Sequence, residues 1–293
     1  CIRDSLMDMQ RNLGVKAWYS EGLSLLKMKQ QFEVLVAQMF CANPSNVLHG
    51  PNASDLQIMI LHAIEEPVIA YDVNHFSSIH KMVHQFPGRK NMAPAKSVDF
   101  MNRENLDNLK DVNVILLSHG GYKTGFVHDL EETVQLIRSY NKTALIVVDV
   151  YQTAGTVPIN INKLGNNVIL VGGAHKQLSG LTGNGFAVFA NKTIEGLTPP
   201  FPGWWTEFHS GRMWQYIDDG AEIDKYSVAK LQGGTNNPFA QSNLVAELLA
   251  ISQILGDGNV YAGIQKIREK LLYQVQMMKE LSKKIELECL SPE

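Results

Sequence analysis

Two stretches decide how this chain folds: Leu145-Ile-Val-Val-Asp149-Val-Tyr-Gln152, and Asn167-Val-Ile-Leu-Val171-Gly-Gly-Ala-His-Lys176. Each opens with a short apolar run rich in β-branched residues, which reads as a strand buried on both faces. The first run ends in a carboxylate and the second delivers a His-Lys pair. Open α/β sheets place their ligands beyond the carboxyl ends of such strands. Asp149 and Lys176 are therefore expected side by side at one edge of a sheet.

Working outward, the same rhythm repeats. Val112–Leu117 reads as a strand, Asp129–Tyr140 as a helix, Ala144–Asp149 and Val168–Val171 as strands, and Phe186–Phe189 as a strand after Gly183 and Gly185. Pro67–Tyr71 is a further short strand. Residues 20–40 carry apolar positions at helical spacing, and a helix is expected to start at Ser54 or Asp55. The end of the chain is helical over Gln241–Leu255 and Tyr261–Leu287. Alternating strands and helices predict an α/β fold with a mainly parallel, mixed sheet sandwiched by helices. The expected organisation is an N-terminal helical segment (1–45), a large domain (46–255) and a long C-terminal helix (256–293).

An acid and an amine so placed suit a cofactor with a basic ring nitrogen and an aldehyde, namely pyridoxal 5′-phosphate. The segments Val148-Asp-Val-Tyr-Gln-Thr-Ala-Gly155 and Gly172-Gly-Ala-His-Lys-Gln-Leu-Ser-Gly180 through Gly183-Asn-Gly185 resemble the class V aminotransferase family of pyridoxal-phosphate fold type I. That family includes kynureninases, cysteine desulfurases and small-amino-acid transaminases. The resemblance covers roughly residues 50–250. It implies Asp149 on the pyridinium nitrogen, Gln152 on the ring hydroxyl, and Lys176 as the Schiff-base lysine that later shuttles protons. His75, in Val73-Asn-His-Phe-Ser-Ser78, falls where the family stacks a ring on the cofactor. Ala53 and Ser54 fall where it holds the phosphate, and free N–H groups at a helix start favour an anion there. An ordinary N-cap explains the same residues equally well.

Three further stretches bear on the branch of the family. His175 precedes the lysine as in desulfurase-like members. Trp205, in Phe201-Pro-Gly-Trp-Trp205, resembles the tryptophan loop of kynureninases, although Thr206-Glu207 departs from their Gly-His. Ser118-His119-Gly-Gly-Tyr122-Lys-Thr-Gly125 resembles a strand-end turn of the family, with His119 in a structural part. Thr235, in Gly233-Gly-Thr-Asn-Asn-Pro238, resembles the motif that reaches the neighbouring subunit's phosphate, which implies a homodimer with a shared active site.

Composition limits the alternatives. The 293 residues carry a formal net charge of −3, with 45% hydrophobic and 19% charged residues. This gives no nucleic-acid footprint, and no apolar run is long enough for a membrane span. Three scattered cysteines (Cys1, Cys41, Cys289) point to a reducing, cytoplasmic setting without disulfides. His80 and His84 stand at metal-ligand spacing, but Lys81 occupies the place of a glutamate base and no third ligand is evident, so no metal is expected. Gly180–Gly185 precedes a strand rather than a helix and is no dinucleotide fingerprint.

Three functions fit: kynureninase-like hydrolytic C–C cleavage of an amino acid, a desulfurase, lyase or aminotransferase of the same family, and a non-catalytic scaffold subunit. A desulfurase needs a mobile cysteine, and Cys289, at the end of a helical segment, is a poor one. The scaffold reading draws on the missing carboxylate-binding arginine, for which Arg268 on a helix is a weak match. The chain opens on Cys1 and closes at Glu293 just after a helical pattern, which reads as a truncated C-terminal small domain.

Overall fold

The computed structural model of the chain describes residues 25–85, 94–191, 193–203, 206 and 227–288. Its centre is a seven-stranded sheet built from β1 (Val47–Gly50), β2 (Ile69–Asp72), β3 (Lys96–Val98), β4 (Val114–Ser118), β5 (Leu145–Asp149), β6 (Val168–Gly173) and β7 (Gly185–Phe189). The spatial order is β1-β7-β6-β5-β4-β2-β3. The block from β3 to β6 is parallel, and β7 and β1 turn the far edge antiparallel. A mainly parallel, mixed sheet is the expected one. The strands β1 and β3 are additions that sequence patterning did not supply. β3 has three residues, and β1 reads Val-Leu-His-Gly, too short and mixed for a periodic signal.

Both faces of the sheet are covered, as its near-continuous apolar strands require. On one face Ile115, Leu117, Ile146, Val148, Val168 and Leu170 pack with α1 (Leu25–Phe40), α4 (Leu130–Tyr140) and α5 (Pro238–Ala250). On the other, Val114, Leu116, Val147, Ile169 and Val171 pack with α2 (Ala53–His62) and α3 (Ser77–His84). The strand alternation of period two divides one sequence run between two cores.

Helix boundaries follow local capping chemistry. Asp129 caps α4 by accepting from the Glu132 amide, and Asn237 caps α5 with Pro238 in the first turn. The end of α5 widens into a π turn over Ile251–Leu255, and α6 (Val260–Lys284) follows. The sequence had read α5 and this turn as one helix. Among the described residues, no helix is long and apolar enough to cross a membrane.

Candidate active site

The carboxyl ends of β4, β5 and β6 and the first turn of α2 enclose a cavity of about 240 Å³. Six of the expected site residues line it: Ala53, Ser54, Asp149, Gln152, His175 and Lys176. Because β5 and β6 run parallel with Asp149 opposite Val171, the acid and the amine arrive at the same edge.

Each wall has a local cause. Asp149 ends β5 and is held by two donors: the Tyr151 amide to Oδ1 at 2.8 Å, and Gln57 Nε2 to Oδ2 at 3.0 Å. Gln57 is 2% exposed and sits one turn beyond Ala53 and Ser54 on α2. The cap of α2 is Asn52, which accepts from the Asp55 amide, so the helix begins at Ala53, slightly before the expected start. The first amides of a helix have no partner within it, so those of Ala53 and Ser54 are available to an anion. Gly185 allows this approach, since a Cβ there would stand 2.7 Å from the Asn52 backbone.

Lys176 Nζ lies 5.4 Å from the Phe76 ring centroid and 5.0 Å from that of Tyr151. Tyr151 has room because its ring packs where a Cβ on Gly173 would stand. The Tyr151 hydroxyl is hydrogen-bonded to His175 Nδ1. Burial, with Asp149 adding to it, pushes the Tyr151 hydroxyl up to about 12, so it keeps its proton at neutral pH. Tyr122, on a turn closed by Gly121 N–H to Phe126 O, sets its ring against Phe76 at 5.0 Å.

Two expected site residues stand elsewhere. His75 does not line this cavity. Its ring is 2% exposed, accepts the Phe76 amide on Nδ1, and lines a neighbouring cavity, while Phe76 presents the aromatic face to Lys176. Thr235 is exposed in the loop before α5 and does not line the cavity either. Trp205 lies outside the described residues, as do Cys1 and Cys289. His119 is buried with Nδ1 2.6 Å from Thr153 Oγ1, a structural tie. The ring nitrogens of His84 and His80 pair with Tyr71 Oη and the His75 carbonyl. Sequence reading missed Gln57, Phe76, Tyr122 and Tyr151. Only Gln57 offered a signal of its own, as a polar residue on the apolar face of a helix.

Four imidazoles, His49, His75, His119 and His128, are buried near the site, and desolvation lowers them to about 4, 4, 3 and 4. A base whose folded pKa is depressed stays neutral while the unfolded chain takes up protons. The unfolded state then binds more protons below about pH 6.5, and stability falls as pH drops from there toward 4. Asp72 works the other way, because burial raises it to about 6, so its protonation recovers part of the loss. Urea midpoints are expected to fall between pH 7 and pH 5; equal midpoints would show that these rings are not held neutral.

The donor set fits pyridoxal phosphate: an amine, a carboxylate anchored by two donors, the side-chain amide of Gln152, and an open helix start in a glycine-shaped cradle. A family model for class-V aminotransferases matches residues 57–286. A kynureninase of Pseudomonas fluorescens is 32% identical over 146 residues, covering 47% of this chain and 34% of that protein. An uncharacterized aminotransferase of Bacillus subtilis is 26% identical over 174 residues, covering 57% of this chain and 46% of its own length. The chain therefore spans less than half the length of these curated relatives. Among solved structures, a cysteine desulfurase from Thermococcus onnurineus NA1 superposes with a TM-score of 0.73 at 17% identity, covering 99% of this chain and 72% of that one. A cystine C–S lyase in complex with cysteine persulfide gives 0.68 at 17% identity, over 87% of this chain and 69% of that one. At that identity the likeness shows the fold alone. With its family model matched over most of its length, this chain belongs to the class-V aminotransferase family.

Proposed function

We propose that the chain is a pyridoxal-phosphate enzyme that acts on an amino acid through Lys176, and that its reaction is kynureninase-like hydrolysis of a Cβ–Cγ bond. The observation that carries the proposal is the placement of Lys176 Nζ close to both the Phe76 and the Tyr151 ring, in one cavity with Asp149. When bound, the cofactor supplies an aldehyde for the lysine and a ring that withdraws electrons from the substrate α-carbon.

The protein's own groups do the rest. Asp149, oriented by Gln57 and the Tyr151 amide, would hold the ring nitrogen, and Gln152 would hold the ring hydroxyl. The amides of Ala53 and Ser54 would hold the phosphate. Phe76 would take the stacking part that the sequence assigned to His75, and the Tyr151 ring lies 5.0 Å from the amine. Hydrolysis adds a hydroxyl to the acyl carbon and a hydrogen to Cβ, so a proton must be delivered beside Lys176. Tyr151, still protonated at neutral pH and hydrogen-bonded to His175, is placed to hold that proton. Thr235, exposed before α5, stands in the stretch that resembles the family's motif reaching the neighbouring subunit's phosphate, so a homodimer belongs to the proposal.

The test is incubation with pyridoxal phosphate, reduction with borohydride and mapping of the modified peptide by mass. A pyridoxyl group on Lys176 is expected; a folded protein without one would overturn the enzyme reading. Kynurenine should then yield alanine, whereas sulfur release from cysteine, with kynurenine untouched, would overturn the C–C reading.

A further inference from the structure

Lys176 stands on an excursion, residues 174–184, between the end of β6 at Gly173 and the start of β7 at Gly185. Its ends, Ala174 and Asn184, are buried, but His175, Gln177, Ser179, Leu181 and Thr182 between them are exposed. Leu178 is its apolar anchor, 3% exposed and packed where a Cβ on Gly155 would stand. The backbone closes on itself through three bonds: the Ala174 amide to Asn184 O at 3.0 Å, the Gly180 amide to Ala174 O at 2.8 Å, and the Ser179 amide to Lys176 O at 3.1 Å. These bonds shape the loop. They do not by themselves fix the angle at which it stands over the cavity.

Two buried asparagines tie the return limb of the loop to α5. Asn243, 4% exposed on that helix, accepts the Leu181 amide on Oδ1 at 2.6 Å. Asn184, 2% exposed, donates from Nδ2 to Ala240 O at 2.6 Å. That donation turns Asn184 Oδ1 toward His49 Nε2 at 3.0 Å, so the imidazole donates there and carries its proton on Nε2. Flipping the Asn184 amide would set oxygen against oxygen at Ala240, so both of its partners hold it in one orientation. Packing leaves little slack: a Cβ on Gly180 would stand 2.6 Å from the Ala174 Cβ and 3.2 Å from Asn243 Oδ1. Neither asparagine lines the cavity.

We infer that Asn243 and Asn184 are positioning residues for Lys176, holding its loop against α5 so that the amine meets the cofactor aldehyde in register. Misplacing a reacting group by about 1 Å can cost on the order of 10²-fold, so a loosened loop is felt in bond formation while the rest of the cavity stays intact. The inference rests on the proposed action at Lys176 and adds to it the part of the fold that aims the amine.

The test compares two probes on the full chain. Pyridoxal phosphate engages the Lys176 amine, whereas 4′-deoxypyridoxine phosphate has no aldehyde and reads the rest of the cavity. Calorimetry gives a dissociation constant for each, and borohydride trapping gives the rate at which the Lys176 adduct forms. Asn243→Leu, similar in size but without the acceptor, should weaken pyridoxal phosphate about tenfold and slow the trapped adduct by a similar factor. The analogue should stay within about twofold of the parent value, and Asn184→Leu should show the same split. Leu181→Pro removes the same hydrogen bond from the loop side, at a residue 48% exposed and outside the left-handed region, and serves where Asn243→Leu does not fold. Asn141→Leu is the control. Asn141 is also buried, bonded to Leu109 O, Val112 O and the Thr143 and Ala144 amides, and its loss should lower stability with both affinities unchanged. A parallel loss of both probes in the loop variants, or pyridoxal phosphate affinity equal to the parent's, would overturn the positioning role while leaving the Lys176 adduct in place. A folded parent that binds both probes equally and yields no adduct overturns the reading of Lys176 itself, and this inference with it.

Discussion

Replacing Lys176 with alanine is expected to lower kcat on the order of 10⁴-fold or more, the scale seen when a covalent catalytic group is removed. The cofactor should also become dialysable, and the borohydride adduct should vanish. The reasoning lies in the placement of the amine. Lys176 is half-buried on the loop after β6, in the cavity with Asp149 and close to two aromatic rings. It makes no hydrogen bond that the fold depends on, so thermal stability should stay within about 0.5 kcal/mol of the parent. Lys176→Arg sharpens the result. It keeps a cation beside Phe76 and Tyr151 but has no amine that can be made neutral to attack an aldehyde. An arginine variant as inactive as the alanine one assigns the loss to covalent chemistry rather than charge. Wild-type turnover in either variant would remove Lys176 from the mechanism.

Much of this site was legible because its chemistry sits at strand ends. Buried parallel strands announce themselves as apolar runs, and the first polar residues after them, Asp149 and the His175-Lys176 pair, mark the edge where ligands bind. The β4–β5–β6 block and the lining by Ala53, Ser54 and Gln152 follow from that logic. His75 shows where it stops. Two adjacent aromatic rings, His75 and Phe76, occupy a turn of extended backbone whose residues face alternate sides. A one-residue difference in phase decides which ring meets Lys176, and no spacing in the sequence sets that phase. The turn is closed by local bonds that a pattern of residue types does not reveal: Asp72 O accepts the His75 amide and His75 Nδ1 accepts the Phe76 amide. Tyr151 was hidden for a different reason. It lies inside the quoted motif, but its ring finds space only because residue 173 on the neighbouring strand is a glycine. Such a pairing across β5 and β6 becomes visible only once their register is known.

Asp149→Asn is the second large effect, with kcat expected to fall about 10²–10³-fold, the cost of removing one preorganised charge from a catalytic site. The substitution is nearly isosteric, yet it disturbs two interactions at once. As an ionised carboxylate, Asp149 accepts from both the Tyr151 amide and Gln57 Nε2. An asparagine accepts with one oxygen and turns an NH₂ group toward the other donor, leaving the buried Gln57 amide unpaired at about 1–3 kcal/mol. Lost activity could then come from a displaced α2, and with it a displaced phosphate cradle, rather than from a missing charge opposite the ring nitrogen. The double substitution Gln57→Leu with Asp149→Asn separates the two causes, because it removes the orphaned donor together with the charge. A charge role predicts that the double variant regains stability but not turnover, with cofactor absorbance still shifted from that of the parent. Recovery of turnover along with stability would mean that Asp149 serves to hold α2 in place, and the ring nitrogen would need another partner.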